Sequence, residues 1–147
     1  MKFSEIKNRT DVSSNIKIAY DWYTTWNPEI LTEDVHFEML PNYPSGGIYN
    51  GRQSVMEDYL PALMSNFDSW TLEPEELFEI EGAVIGKGYY KGRTKGTEND
   101  FTSPFLHIWY IKNNQIYKVM AYTDTYHLQM NIPKNFNKRS KLNLQTS

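Results

Sequence analysis

The chain contains no cysteine. Disulfides, thiolate metal sites and thiol nucleophiles are therefore excluded, and a reducing cytoplasm is the expected compartment. Its three histidines, His36, His107 and His127, lie far apart, so an imidazole metal site would need spatial convergence, and none is expected. No apolar run approaches the roughly 18 residues of a membrane span, and the opening MKFSEIKNRTDVSS has no continuous apolar stretch of the kind a secretory signal carries. The sequence predicts a soluble protein with no membrane partner. Phosphate-binding glycine loops, the G-x-S-x-G elbow and H-E-x-x-H are all missing, so phosphate-loop and zincin chemistry are not expected and no cofactor is called for. The formal charge is −3, and Lys134, Lys138, Arg139 and Lys141 stand without an acid in residues 133–147, leaving −7 for the rest. That balance argues against a nucleic-acid-binding body. The length of 147 residues predicts one domain, over residues 1–132, and the basic cluster a solvated tail over 133–147.

Aromatic residues are what the chain has in quantity: 15%, from 11 Tyr, 7 Phe and 4 Trp. Such a share supports a sizeable core or an aromatic-lined cavity. In SSNIKIAYDWYTTW, the apolar residues Ile16, Ala19, Tyr20, Tyr23 and Trp26 recur at helical spacing, with Ser13 or Ser14 as cap. Asn27-Pro28 predicts a short second helix through Leu31. Asp34 to Leu40 alternates as a strand, and Pro41, Pro44, Gly46 and Gly47 form a loop after it. Ser54 and Glu57 fit a capping box opening a third helix, bent by Pro61 inside it. From Trp70 the period becomes two, predicting strands near 70–80, 83–93, 101–112 and 115–124, with turns at Glu81-Gly82 and Asn113-Asn114. The order predicts an α+β domain, about three helices packed on the concave face of a curved antiparallel sheet. A cone-shaped cleft at the open end is the natural ligand site.

Acid–base chemistry in an apolar pocket is then the candidate activity, because burial moves the pKa values of imidazole and carboxylate groups. His107 shares a strand face with Phe105, Trp109 and Ile111, an apolar wall in which it must find a partner. Two readings stand: a catalytic imidazole, or one bonded to a neighbouring Tyr or carbonyl. With a two-residue Asn113-Asn114 turn, His107 pairs with Met120 and Asp124 with Ser103. A bulge would instead put Ala121 beside His107. Asp124 then either moves a proton or bonds backbone donors of the segment that follows. His36 and Glu38 share a face of the first strand, so Glu38 is either a base in the cleft or an ornament of a solvated edge. Tyr20, Trp22 and Tyr23 line the mouth or belong to the core.

The order of elements, with DVHFEM, then YNGRQSVMEDYLPAL, then PFLHIWYIKNNQIYKVMAYTDTYHL, resembles the SnoaL-like families of the nuclear transport factor 2-like superfamily over about residues 12–130. The landmarks are Gly51-Arg52 opening the third helix and the Tyr122 to Thr125 element ending the last hairpin. The resemblance implies a cone-shaped, cystatin-like α+β barrel, commonly a homodimer joined through the outer face of its sheet. Ketosteroid isomerases, polyketide cyclases, dehydratases and non-catalytic binders share that fold. His107 falls where ketosteroid isomerases, the established example of a carboxylic acid held neutral to donate a hydrogen bond, place that group. The implied function is an isomerase or cyclase acting on an apolar carbonyl compound. His107 would stabilise the oxyanion, Glu38 or Asp124 would move the proton, and Tyr20, Tyr23, His36, Phe105, Trp109, Ala121 and Tyr122 would line the ligand pocket. The isomerase base falls near Met39 and the cyclase acid at Ala121, neither of which is acidic. A non-catalytic ligand-binding or assembly module is the alternative.

Overall fold

The computed structural model describes residues 1–131, so the basic tail at 133–147 lies outside the described residues, as does the side chain of His127. A four-residue helix α1 (Phe3–Ile6) precedes α2 (Ser14–Thr25), whose first turn is capped by Ser13 Oγ accepting from the Ile16 N–H. The buried stripe of α2 is Ile16, Ala19, Trp22 and Tyr23. Tyr20 sits at its edge against the ring of Phe3, 4.8 Å away, so the stripe is rotated from the one its spacing suggests. Asn27 caps a 3-10 turn, Pro28–Ile30, by accepting from Glu29 N–H, with proline where its missing donor costs nothing.

Strand β1 (Leu31–Met39) follows, then β2 (Gly47–Asn50), a short antiparallel partner in a stretch that reads as loop from its prolines and glycines. The third helical stretch begins at α3 (Arg52–Ser54), after Gly51 at φ 97, and not at a capping box. Ser54 Oγ donates to Asp58, while the Arg52 guanidinium donates to the Leu31 carbonyl and pins this stretch to β1. A π-helical segment, Val55–Tyr59, separates it from α4 (Leu60–Met64). The wider turn lets Pro61 fall at the start of a fresh α-turn, where no donor is missed.

The rest is a meander of β3 (Phe67–Ile80), β4 (Ala83–Thr94), β5 (Asp100–Lys112) and β6 (Gln115–Thr123), closed by α5 (Tyr126–Asn131). The six strands form one curved sheet in the order β2-β1-β6-β5-β4-β3. One neighbour pair, β1 with β6, is parallel, a departure from the antiparallel expectation. Asn113 and Asn114 both take positive φ, 52 and 61, the two-residue turn that suits a right-twisted hairpin. A bulge next to the turn, between Tyr110 and Ile111, then shifts the ladder by one, so that His107 faces Ala121 and not Met120. Bulges in β3 as well bend the sheet over α2. Alternation sends Val35, Phe37 and Met39 of β1 inward and leaves His36 and Glu38 half-buried on the other face.

Candidate functional site

His107 lies mid-strand in β5, 4% exposed, and both of its ring nitrogens are occupied by phenols. The Tyr23 hydroxyl is 2.7 Å from Nδ1 and the Tyr90 hydroxyl 2.5 Å from Nε2. Trp109 Nε1 donates to the Tyr23 oxygen over 2.9 Å. Space for this arrangement comes from Gly86, which pairs with His107 in the ladder. A Cβ at Gly86 would lie 2.2 Å from the Tyr23 hydroxyl oxygen.

The proton positions follow from donor counting. Burial pushes the imidazole pKa down to about 3, so His107 is neutral and carries one N–H. An indole nitrogen only donates, so the Tyr23 oxygen is an acceptor there. Its single proton then goes to His107 Nδ1, because the opposite sense would leave that proton buried with no acceptor, at about 1–3 kcal/mol. Nε2–H consequently donates to the Tyr90 oxygen. The result is a directed chain, Trp109 to Tyr23 to His107 to Tyr90, whose last proton meets no acceptor among the described residues.

Tyr90 and His107 are part of the wall of a cavity between α2, the α3–α4 stretch and the sheet. Its floor is apolar, with Phe37, Met39, Leu63, Val119 and Ala121. All four tryptophans of the chain, Trp22, Trp26, Trp70 and Trp109, line it, and so does Tyr59. Trp26, Leu60, Trp70 and Leu72 are half-exposed lining residues and form the mouth. Trp26 reaches it from a left-handed backbone (φ 52), a conformation an aromatic residue adopts only when its surroundings impose it. Its ring stacks on Trp22 at 6.4 Å and meets Trp70 edge-on at 6.0 Å. The cavity volume is about 40 Å³, room for a few water-sized groups.

Of the residues singled out in the sequence, the cavity brings together Trp22, His107, Trp109 and Ala121. Tyr23 and Phe105 stand one layer behind, the first bonded to His107 and the second stacked on it at 4.1 Å. Tyr20 is against Phe3. Strand alternation puts His36 and Glu38 on the far face, 3.7 Å from one another, and leaves Tyr122 41% exposed. Asp124 is exposed beyond the end of β6, where Oδ1 accepts from the Tyr126 N–H and opens α5. Among the described residues no carboxylate lines the cavity, and Met39 and Ala121 stand in its wall. Among the described residues no three His, Cys, Asp or Glu side chains gather as a metal site would need. No helix among them is long and apolar enough to cross a membrane.

Tyr59, Tyr90, Trp26 and Trp70 were not legible as site residues. Trp70 lies in strand β3 and Tyr59 in the helical stretch before it, and only the fold closes them on one space. The alternation of Gly86, Gly88 and Tyr90 was the one available signal, since small residues on an inward face leave room for a large neighbour.

No family model and no curated protein matches the sequence. Solved structures do match in fold. A nuclear transport factor 2-like protein of unknown function from Burkholderia pseudomallei superposes with a TM-score of 0.72 at 18% identity, over 82% of this chain and 98% of the other. A protein of ketosteroid isomerase-like fold from Catenulispora acidiphila, in complex with trimethylamine, gives 0.68 at 15% identity over 82% and 97%. A putative SnoaL-like polyketide cyclase from Jannaschia gives 0.68 at 12% identity over 84% and 97%. At these identities the likeness establishes the nuclear transport factor 2-like fold, and a fold of this kind hosts many activities.

Proposed function

We propose that this chain, with its nuclear transport factor 2-like fold, is a pocket protein that holds a small, mainly apolar molecule in the tryptophan-lined cavity without carboxylate-driven turnover. The observation that carries this reading is the cavity wall itself. Its polar pole consists of phenols and a neutral imidazole, and among the described residues no carboxylate lines it. Proton abstraction next to a carbonyl needs a base within hydrogen-bond reach of the ligand. Glu38 and Asp124 are turned away from that space, so the reading assigns them no proton transfer. An aromatic wall with few polar groups is instead what a ligand site requires for affinity and orientation. Fold neighbours support the reading to the extent that one of them was crystallised with a small organic amine.

A thermal-shift screen of small apolar compounds, with the bound compound then identified by mass spectrometry, tests the proposal. Stabilisation by a chemically related set is expected. A panel that leaves the melting temperature unmoved rejects it, and a ketone turned over at a rate that Glu38→Gln or Asp124→Ala abolishes would establish the isomerase in its place. The outer sheet face supports a homodimer as the second part of the proposal. Phe78, Ile80, Leu106 and Tyr122 are each at least 40% exposed, and sedimentation equilibrium reads the result.

A further inference from the structure

We propose that Trp26 controls entry to the cavity, its indole serving as a side-chain door that swings off the mouth to admit a ligand and closes again against Trp70. The proposal deepens the pocket reading above and rests on it.

The mouth is spanned from two sides. Trp26 comes from the end of α2 and Trp70 from β3, and their rings meet edge-on, 6.0 Å apart at 79°. Both line the cavity and both are half-exposed, so their contact lies at the boundary between cavity and solvent. The two rings are fastened differently. The Trp70 indole N–H donates to the hydroxyl of the fully buried Tyr43 over 2.8 Å, and its ring tilts onto Tyr90 at 5.5 Å. No hydrogen bond ties the Trp26 indole to any described residue, and the ring rests on Trp70 and on the stacked Trp22. Ring contacts of this kind are individually weak, so turning Trp26 breaks less than turning Trp70 would.

The backbone beneath the door is held still. Trp26 N–H donates to the Trp22 carbonyl over 3.0 Å, and the next N–H, of Asn27, donates to Thr25 Oγ1 over 3.2 Å. With φ clamped at 52 from both sides, only the side-chain torsions are left to move. The other described non-glycine residues at positive φ are Ser45, Asn113 and Asn114, small and polar, so the tryptophan is the misfit of the set. Helix ends reserve this place for glycine or asparagine, and Asn27 stands one position too late to take it. A bulky aromatic kept in such a place is a local conflict of the kind that folds retain at ligand clamps and switches. What it achieves here is a ring laid across the mouth.

A door and a fixed wall differ in their kinetics. Removing a door speeds entry and exit together, whereas removing a wall contact speeds exit alone. The test is NMR exchange spectroscopy of the full chain, following the indole N–H signals of Trp22, Trp70 and Trp109, with benzene as the probe. Trp26→Gly should raise the association and dissociation rates of benzene each about tenfold and leave Kd within about threefold. Trp26→Phe, a smaller leaf on the same backbone, should give rates between the two. The melting temperature of Trp26→Gly should fall by no more than about five degrees, because glycine suits the left-handed backbone.

Faster dissociation at an unchanged association rate would make Trp26 a fixed wall, overturning this inference and leaving the pocket reading intact. A greater acceleration in Tyr43→Phe, which unfastens Trp70, would overturn it by moving the door to the other ring. A melting temperature lowered by more than about ten degrees would make Trp26 a core residue and overturn it as well. If benzene shifts no indole signal in either wild type or Trp26→Gly, both readings fall together.

Discussion

Gly86 stands opposite His107 in the sheet, and the space its missing side chain leaves is occupied by the hydroxyl of Tyr23, 2.2 Å from where a Cβ would be. The polar centre of this protein is thus built around an absence. A single methyl group would expel the phenol that orients the imidazole.

Gly86→Ala should therefore destabilise the fold by about 2–3 kcal/mol, the usual cost of overpacking combined with an orphaned hydrogen bond. Urea unfolding measures it. A change within a few tenths of a kcal/mol would show that Tyr23 has other room to move.

Tyr23→Phe removes the donor to His107 Nδ1 and the acceptor of Trp109 Nε1 at once. We expect the imidazole to lose its single tautomer, from Nε2–H alone to a mixture. The ring ¹⁵N shifts of His107 report this directly, because protonated and unprotonated ring nitrogens resonate far apart. Identical spectra in wild type and variant would contradict the donor order derived above.

Acid should weaken the fold through His107. Its folded pKa is about 3 against an ordinary 6.5. Between those values the unfolded chain holds one proton that the folded chain does not, so stability rises with pH across the window and is fully present above about 6.5. The slope from this one group is about 1.4 kcal/mol per pH unit. His107→Gln should lower stability at pH 7 and remove one proton from the difference. Equal slopes for the two proteins between pH 4 and 6 would show that the ring is not kept neutral by burial.

Glu38→Gln and Asp124→Ala should leave ligand affinity in the cavity unchanged, since neither side chain lines it. Asp124→Ala should still cost about 1 kcal/mol, because Oδ1 caps the Tyr126 N–H at the start of α5. Calorimetric titration with any hit from the compound screen separates the two effects. A tenfold loss of affinity in either variant would bring a carboxylate back into the site.

Much of this was legible in the chain before any fold was known. Helix α2 and its Ser13 cap follow from apolar spacing and from the competition of a serine hydroxyl for free N–H groups. The four-strand meander follows from alternation. The burial of His107 among Phe105, Trp109 and Ile111 follows from the two-residue strand period. These are local regularities, decided by residues within a few positions of each other.

The partners of His107 were not local. Tyr23 is 84 positions away and Tyr90 is 17, and a one-residue bulge beside Asn113 decided which side chain of β6 lay across from the ring. Register slips of that size cost little locally, yet they choose every neighbour along a strand. The sequence by itself determined that a histidine would be buried on an aromatic face. Only the tertiary structure decided that phenols would meet both nitrogens and that the carboxylates would point elsewhere, because hydrogen-bond partners are chosen by the packing of distant segments and not by the chain's own periodicity.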